Sequence, residues 1–336
     1  MDHEGEDARD RPLERTYRAL TPPAARLFRL LGLHPTHRFG AAAASALTGG
    51  PPGEVPVLVG ELADAGLIVG FDQDRYLMSE AARMFAAARA AVEEGGAECR
   101  AAVRRLLDHY LAVAASDDPE AREAEHDNLR ACVLTAEEYG LDEPVWRLSE
   151  ALWPLSARLG HPPEWIRVLG AGVEAAQRLD DRRAEGSTRR RLASALLALD
   201  RLDDAEVQLD AAVAAAREAG DRRGVAATVE SLGLLRLRQG RPADAVELLG
   251  AAGGLHLDAG RPGEAVGPLD RALAIAGEAC GPARTADLAV LRARCAGESG
   301  APADEERFLR MALDGYERAG SPVAEDIGRR LRKPPR

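Results

Sequence analysis

A short phrase recurs at a fixed beat in the second half of this chain. Asp200-Arg201-Leu202-Asp203-Asp204-Ala205 is echoed by Gly240-Arg241-Pro242-Ala243-Asp244-Ala245 and by Gly260-Arg261-Pro262-Gly263-Glu264-Ala265. A more divergent copy is Gly300-Ala301-Pro302-Ala303-Asp304-Glu305. The intervals of 40, 20 and 40 residues are those of helical-repeat arrays, in which each unit buries its apolar face only against its neighbours. Asp181-Arg182-Arg183 and Asp221-Arg222-Arg223 keep the same 40-residue beat at the start of successive first helices. Inside the units, Ala205, Ala245 and Ala265 are each followed four residues later by Leu209, Leu249 and Leu269, and three later again by Ala212, Ala252 and Ala272. That spacing puts small residues where two helices approach and Leu where a knob fills the gap. Leu232-Gly233 supplies the close contact on a first helix. The 20-residue interval between Gly240 and Gly260 is half a unit. Either one helix has been lost, or 242–259 forms a kinked pair about Gly253-Gly254. Glu305 stands where the other copies have Ala, as expected of a terminal unit whose outer face meets water.

Only 4% of residues are aromatic, while Ala and Leu abound, the composition of closely packed helices. The fold class expected is all-α with one small hairpin. Residues 1–14 read as a disordered acidic tail. Helices are expected at 22–33, with Leu27, Phe28, Leu30 and Leu31 inward, at 40–47, and at 53–65, with Val57, Leu58, Leu62 and Ala65 inward. Leu67–Phe71, Asp72–Asp74 and Arg75–Met78 read as strand, turn, strand, and a helix at 79–93 closes the unit. Three helices and a hairpin are the order of a winged helix, spanning 15–94. Helices near 97–115, 121–139, 143–159 and 163–179 make 95–180 a helical linker or degenerate repeats, and 181–336 the solenoid.

These positions resemble the tetratricopeptide repeat, which implies a right-handed α-solenoid. Upstream, Tyr17-Arg18-Ala19-Leu20, Arg26–Pro35, Glu61–Ile68, Glu125–Ala131 and Trp146–Leu155 resemble the winged-helix region of bacterial STAND signalling ATPases, specifically the actinobacterial antibiotic regulatory proteins. The resemblance covers roughly residues 15–320 and implies a regulatory protein linked to specialised metabolism. Members carry a nucleotide-binding domain ahead of this winged helix. Here the resemblance begins at the winged helix, so the chain is expected to act beside a separately encoded regulator or enzyme. A P-loop needs Gly-Lys-Ser/Thr, and the single lysine, Lys333, lies in a Pro-rich terminus; neither nucleotide nor any other cofactor is expected. Where members have His-Asp after the hairpin this chain has Met78-Ser79. Where many have an Asn pair on the first helix it has Glu230-Ser231.

A net charge of −11 argues against general attraction to nucleic acid or anionic membrane, although a local basic patch remains compatible with it. The expected recognition helix 53–65 carries Glu54, Glu61 and Asp64 and no basic residue, and Arg75 is flanked by Asp72 and Asp74. DNA is therefore not expected as a partner. Gly170-Ala171-Gly172 superficially matches a dinucleotide fingerprint, but its flanks have helical period and position 192 is Leu, not an acid; the glycines are expected at a helix–helix contact. His34 and His37 are expected as loop histidines without a metal, and Cys99, Cys132, Cys280 and Cys295 as buried free thiols. No Ser–His–Asp or Cys–His set is recognisable, and no apolar run reaches membrane-spanning length. A cytoplasmic, non-enzymatic protein is expected. Its best binding surface is the concave face of the repeats, where the 40-residue beat aligns Arg190 with Glu230, Ser194 with Leu234, and Leu196 with Arg236 and His256. Arg189, Arg190, Arg191, Arg236 and Arg238 make that groove suited to an acidic peptide or helix. The leading function is a protein- or peptide-binding regulatory adaptor. The alternative is a DNA-binding transcriptional regulator whose solenoid senses a ligand.

Overall fold

A computed structural model describes residues 12–51, 53–72, 74–154 and 163–332. The chain forms two compact units, one of residues 1–160 and 167–179 and the other of 161–166 and 180–336.

The first unit opens with helix α1 (12–18), so the last residues of the expected tail are ordered; residues 1–11 lie outside the described residues. There follow α2 (Pro22–Leu31), β1 (Arg38–Gly40), α3 (Ala41–Thr48), α4 (Val55–Asp64), β2 (Ile68–Asp72), β3 (Arg75–Met78) and α5 (Glu80–Glu93). The expected hairpin is part of a three-stranded antiparallel sheet of order β1-β3-β2. The added strand is three residues long, too short to show alternation, and pairs Phe39 opposite Tyr76 with stacked rings. The order of elements is thus helix, strand, two helices, two strands and a closing helix.

On α2, Leu27, Phe28, Leu30 and Leu31 are all buried as expected. On α4 the inward stripe is Val55, Leu58, Val59 and Leu62, and Val57 is 73% exposed. Leu58 and Leu62 face inward as expected and Val57 does not, because the i, i+3, i+4, i+7 face starts at Val55. Ser79 caps α5 by accepting a hydrogen bond from the Ala82 amide, a contact that fixes the helix start.

Next come α6 (Gly95–Ala114), α7 (Pro119–Ala124), α8 (His126–Glu138), α9 (Asp142–Ala151) and α10 (Glu164–Arg178). The single helix expected at 121–139 is broken at Glu125 (φ −100°, ψ 8°). Its carboxylate is held by Arg75 of β3 at 2.7 Å and by Asn128, so the chain turns to meet the sheet. Gly170 lies mid-helix in α10 with nothing within 4 Å of an added Cβ. It therefore forms neither a nucleotide loop nor the close helix contact expected of it.

The second unit is a run of helices: α11 (Arg182–Ala198), α12 (Leu202–Glu218), α13 (Arg222–Arg238), α14 (Pro242–Asp258), α15 (Pro262–Ala279), α16 (Gly281–Glu298), α17 (Pro302–Arg318) and α18 (Val323–Leu331). The links between them turn on residues with positive φ: Asp180 and Asp200 at 54° and 58°, and Gly220, Gly240, Gly260, Gly300 and Gly320 at 64–71°. Left-handed backbone favours Gly, with Asp tolerated, which is why the repeated phrase begins on these two residue types. Each helix packs antiparallel on the next, giving a helical solenoid.

The half-unit has a clear resolution. Residues 242–258 form one continuous helix, so there is no kinked pair. Leu249 of α14 packs over Gly233 of α13, where an added Cβ would lie 2.8 Å from its Cγ. Sixteen residues also separate Leu269 of α15 from Gly253 of α14, and those two meet in the same way. Thus α14 is second helix to α13 and first helix to α15. The intervening helix has been lost, and α14 carries both halves of the packing code.

Glu305 on α17 is only partly exposed. It fills the space above Gly297 of α16, where an added Cβ would lie 2.9 Å from its Oε2, and it sits 3.7 Å from Arg330 of α18. A missing side chain opposite, not exposure to water, accommodates the acid where the other units have Ala.

Candidate functional site

In the second unit, α11, α13, the C-terminal turn of α14 and the N-terminal turn of α15 surround a cleft of about 570 Å³. Gly186 and Gly224 lie at its wall, where Gly186 lets α11 approach the backbone of α12 closely. Arg190, Glu230, His256 and Glu264 supply polar groups to its wall. Three of the residues aligned by the sequence beat, Arg190, Glu230 and His256, are therefore brought together.

Their electrostatic states differ. Glu230 is bound by Arg271 of α15. Glu264 pairs with Arg223 of α13 at 3.0 Å and stands 3.2 Å from Nδ1 of His256. His256 is buried, and its Nδ1 makes no hydrogen bond of acceptable geometry among the described residues. Burial lowers its pKa, against the opposing pull of Glu264 and Glu230. That nitrogen is buried against Glu264, so an incoming group reaches the His256–Glu264 pair through the Glu264 carboxylate. Arg190 is half-buried, and no carboxylate or hydrogen-bond acceptor pairs with its guanidinium among the described residues. A cleft that offers an unpaired fork donor, walled by carboxylates already paired with other arginines, is arranged to receive an acidic group.

The other expected site residues lie elsewhere. Arg189 is turned to the neighbouring pair, bound to Glu185 at 2.9 Å and to Gln208 of α12 at 2.7 Å. Arg236 is clamped by Glu206 of α12 at 2.7 Å and by Gln239, and the same contacts hold the Glu206 carboxyl down at about 2. Arg238 reaches Asp200. Ser194 spends its hydroxyl on the Arg190 carbonyl, and Leu234 is exposed outside the cleft. Arg189, Arg236 and Arg238 thus bind helix to helix, because their i, i+4 and cross-helix acids are nearer than the groove. Sequence reasoning missed Glu264 and Arg223, since Glu264 was read only as part of the turn phrase.

In the first unit, His34 is not a surface loop residue. It is buried; one ring nitrogen lies 3.0 Å from the Thr36 carbonyl and the other 2.9 Å from the Tyr110 hydroxyl. Burial drops its pKa to about 4. Tyr110, Glu125, Asn128, Thr36 and Arg75 continue this network, which ties the sheet to α6 and α8. Arg75 is therefore committed to Glu125. Glu61 of α4 accepts hydrogen bonds from the amide and hydroxyl of Thr21 ahead of α2, both at 2.7 Å. No group of His, Cys, Asp and Glu residues suited to a metal occurs among the described residues. Cys99, Cys132 and Cys295 are buried free thiols and Cys280 is half-buried. No helix among the described residues is long and apolar enough to cross a membrane.

No protein-family profile matches the chain. It is 30% identical over 276 residues to the regulatory protein AfsR of Streptomyces coelicolor, an alignment covering 71% of this chain and 28% of that protein. It is 28% identical over 302 residues to the AfsR of Streptomyces griseus, covering 69% and 31%. The chain thus spans less than a third of the length of these relatives. Among solved structures it resembles a STAND protein with a tetratricopeptide repeat sensor from Pyrococcus horikoshii, at 16% identity and TM-score 0.49, covering 95% of this chain and 51% of the other. It also resembles a Rap protein complexed with competence and sporulation factor, at 12% identity and TM-score 0.29, covering 85% and 92%.

Proposed function

We propose that this chain, a relative of the AfsR regulatory proteins over some 70% of its length, is a non-enzymatic regulatory adaptor that receives an acidic protein segment in the α11–α14 cleft. The observation that carries this reading is the unpaired Arg190 beside the His256–Glu264 pair. Binding would act by occupancy of a preformed groove: the carboxylate of the incoming segment meets the Arg190 fork. The winged-helix region supplies a second contact surface. Two observations weigh against duplex DNA as the partner of that region. The outer face of α4 presents Val57, Gly60 and Asp64, and Arg75 is already paired.

The test places a photoreactive amino acid at Ser187, on the wall of the cleft, and crosslinks the protein in lysate of its native host. The expected result is a single crosslinked protein whose acidic segment, resynthesised as a peptide, binds the purified chain and loses at least tenfold affinity to Arg190→Glu. Binding of that peptide unchanged by Arg190→Glu would remove the cleft from the mechanism. Retention of host DNA at low salt, with no crosslinked protein, would replace the adaptor by a DNA-binding regulator.

A further inference from the structure

We infer that the cleft between the three-stranded sheet and α8 binds a compact phosphate ester, at a site independent of the α11–α14 cleft. This cavity of about 760 Å³ is walled by the chain entering β1, by Phe71 and Arg75 of the sheet, by the start of α5 and by the first turns of α8. Four guanidiniums line it, those of Arg38, Arg75, Arg83 and Arg130, against the two carboxylates of Glu80 and Asp127. In a chain of net charge −11 this is a local concentration of positive charge on a concave surface, where field lines are focused.

Two of the four arginines are occupied. Arg75 binds Glu125 at 2.7 Å, and Arg83 forks onto both oxygens of Glu80 at 2.7 and 3.1 Å. The other two have donors to spare. Arg130 lies 4.0 Å from Asp127, too far for a hydrogen bond. Arg38 is exposed, with its guanidinium 5.7 Å above the Phe71 ring and no carboxylate paired with it among the described residues. Independently, the wall includes the N-terminal turn of α8, which no side chain caps; amides at such an end, with the positive pole of the helix, favour an anion.

A phosphate monoester suits this arrangement. It is doubly charged, its oxygens match two guanidinium forks, and the volume falls in the range of small-molecule sites. Phe71 is 45% exposed and offers its ring to the organic body. A duplex backbone suits it poorly, because Asp72 and Asp74 flank Arg75 on the hairpin and the outer face of α4 carries no base. Duplex binding needs several phosphate contacts around a basic element.

The probes are phenyl phosphate, inorganic phosphate and a short DNA duplex, titrated calorimetrically into the full chain in a sulfate-free, low-salt buffer. The expected outcome is saturable one-to-one binding of phenyl phosphate, tighter than inorganic phosphate. Affinity should fall at least tenfold in Arg38→Gln/Arg130→Gln and stay unchanged in Arg190→Gln. Should the double variant melt lower than the wild type, Arg38→Gln alone decides, since an exposed side chain leaves the fold intact. The inference is overturned by no saturable binding of either phosphate probe, by equal binding in the deciding variant, or by a duplex that displaces phenyl phosphate at lower concentration than phenyl phosphate itself requires.

Discussion

Gly253 and Gly254 are adjacent in α14 and face opposite surroundings. A Cβ on Gly253 would be driven into Leu269 of α15, with Cδ1 at 3.2 Å and Cγ and Cδ2 nearer still, and Leu269 is fully buried. A Cβ on Gly254 meets nothing within 4 Å. Replacing either by Ala in a helix interior gains about 1 kcal/mol of propensity. For Gly254→Ala that is the whole effect, so the variant is about 0.5–1 kcal/mol more stable than the wild type. Gly253→Ala makes the same gain and adds an overpacking cost of about 1–3 kcal/mol. The propensity term cancels in the comparison, leaving Gly253→Ala about 1–3 kcal/mol below Gly254→Ala. With a urea dependence of roughly 3 kcal/mol per molar, the two midpoints should differ by about 0.3–1 M when unfolding is followed by far-ultraviolet circular dichroism. If Gly253→Ala unfolds at or above the midpoint of Gly254→Ala, α14 does not close onto α15 through this glycine, and the account of a helix serving two neighbours is wrong.

Burial keeps the His34 ring neutral to about pH 4 in the folded chain, against 6.5 when exposed. Its contribution is whole above about pH 6.5 and is lost as pH falls from there toward 4. Urea midpoints should therefore show the wild type losing about 3 kcal/mol relative to His34→Gln across that window, and parallel pH profiles would refute this. Arg75→Met leaves the mostly buried Glu125 without its cation and should cost about 1–3 kcal/mol. Adding Glu125→Gln should recover part of that loss in thermal melts. Glu305→Ala removes only a 3.7 Å ion pair whose partners are 35% and 49% exposed and should change the urea midpoint by less than the equivalent of about 1 kcal/mol.

What could be read from the sequence was whatever depends on neighbours in the chain. The turn phrase marks real links because positive φ is a property of single residues, and Gly240 and Gly260 declare it directly. The packing code was legible for the same reason: Leu249 on Gly233 is a spacing within the repeat. The failures came where a distant partner decides. Val57 points outward because the core selects a face that Ala- and Val-rich sequence leaves ambiguous. The helix at 121–139 breaks because Glu125 is pulled toward Arg75, fifty residues away. β1 forms only because β3 is there to pair with it. At the candidate site, the 40-residue beat aligned Arg190 with Glu230 but placed His256 with Leu196 and Arg236, and it ranked all arginines alike. Which of them is free depends on acids such as Glu185 and Glu206, and no periodicity reports whether a neighbouring carboxylate is nearer than the groove.

The lost helix bears on the site itself. In a strict alternation, first helices supply one face and second helices cover the other, so a groove lined by first helices would see Arg190 of α11 and Glu230 of α13 and then a third first helix. Here that third place falls to α14, already second helix to α13. Because α14 runs antiparallel to α13, its C-terminal turn brings His256 beside the N-terminal half of α13, where Glu230 lies. The phase slip also sets α15 immediately behind, and its first turn delivers Glu264 to within 3.2 Å of the His256 ring and Arg271 to Glu230. Glu230 and Glu264 of the wall are thereby paired with arginines from other helices, and Asp221 lies 3.8 Å from Arg183 of α11, while Arg190 pairs with no acid among the described residues. The break in the repeat and the charge pattern of the cleft thus coincide: α14, which serves two neighbours, carries His256, and α15 behind it carries Glu264 and Arg271.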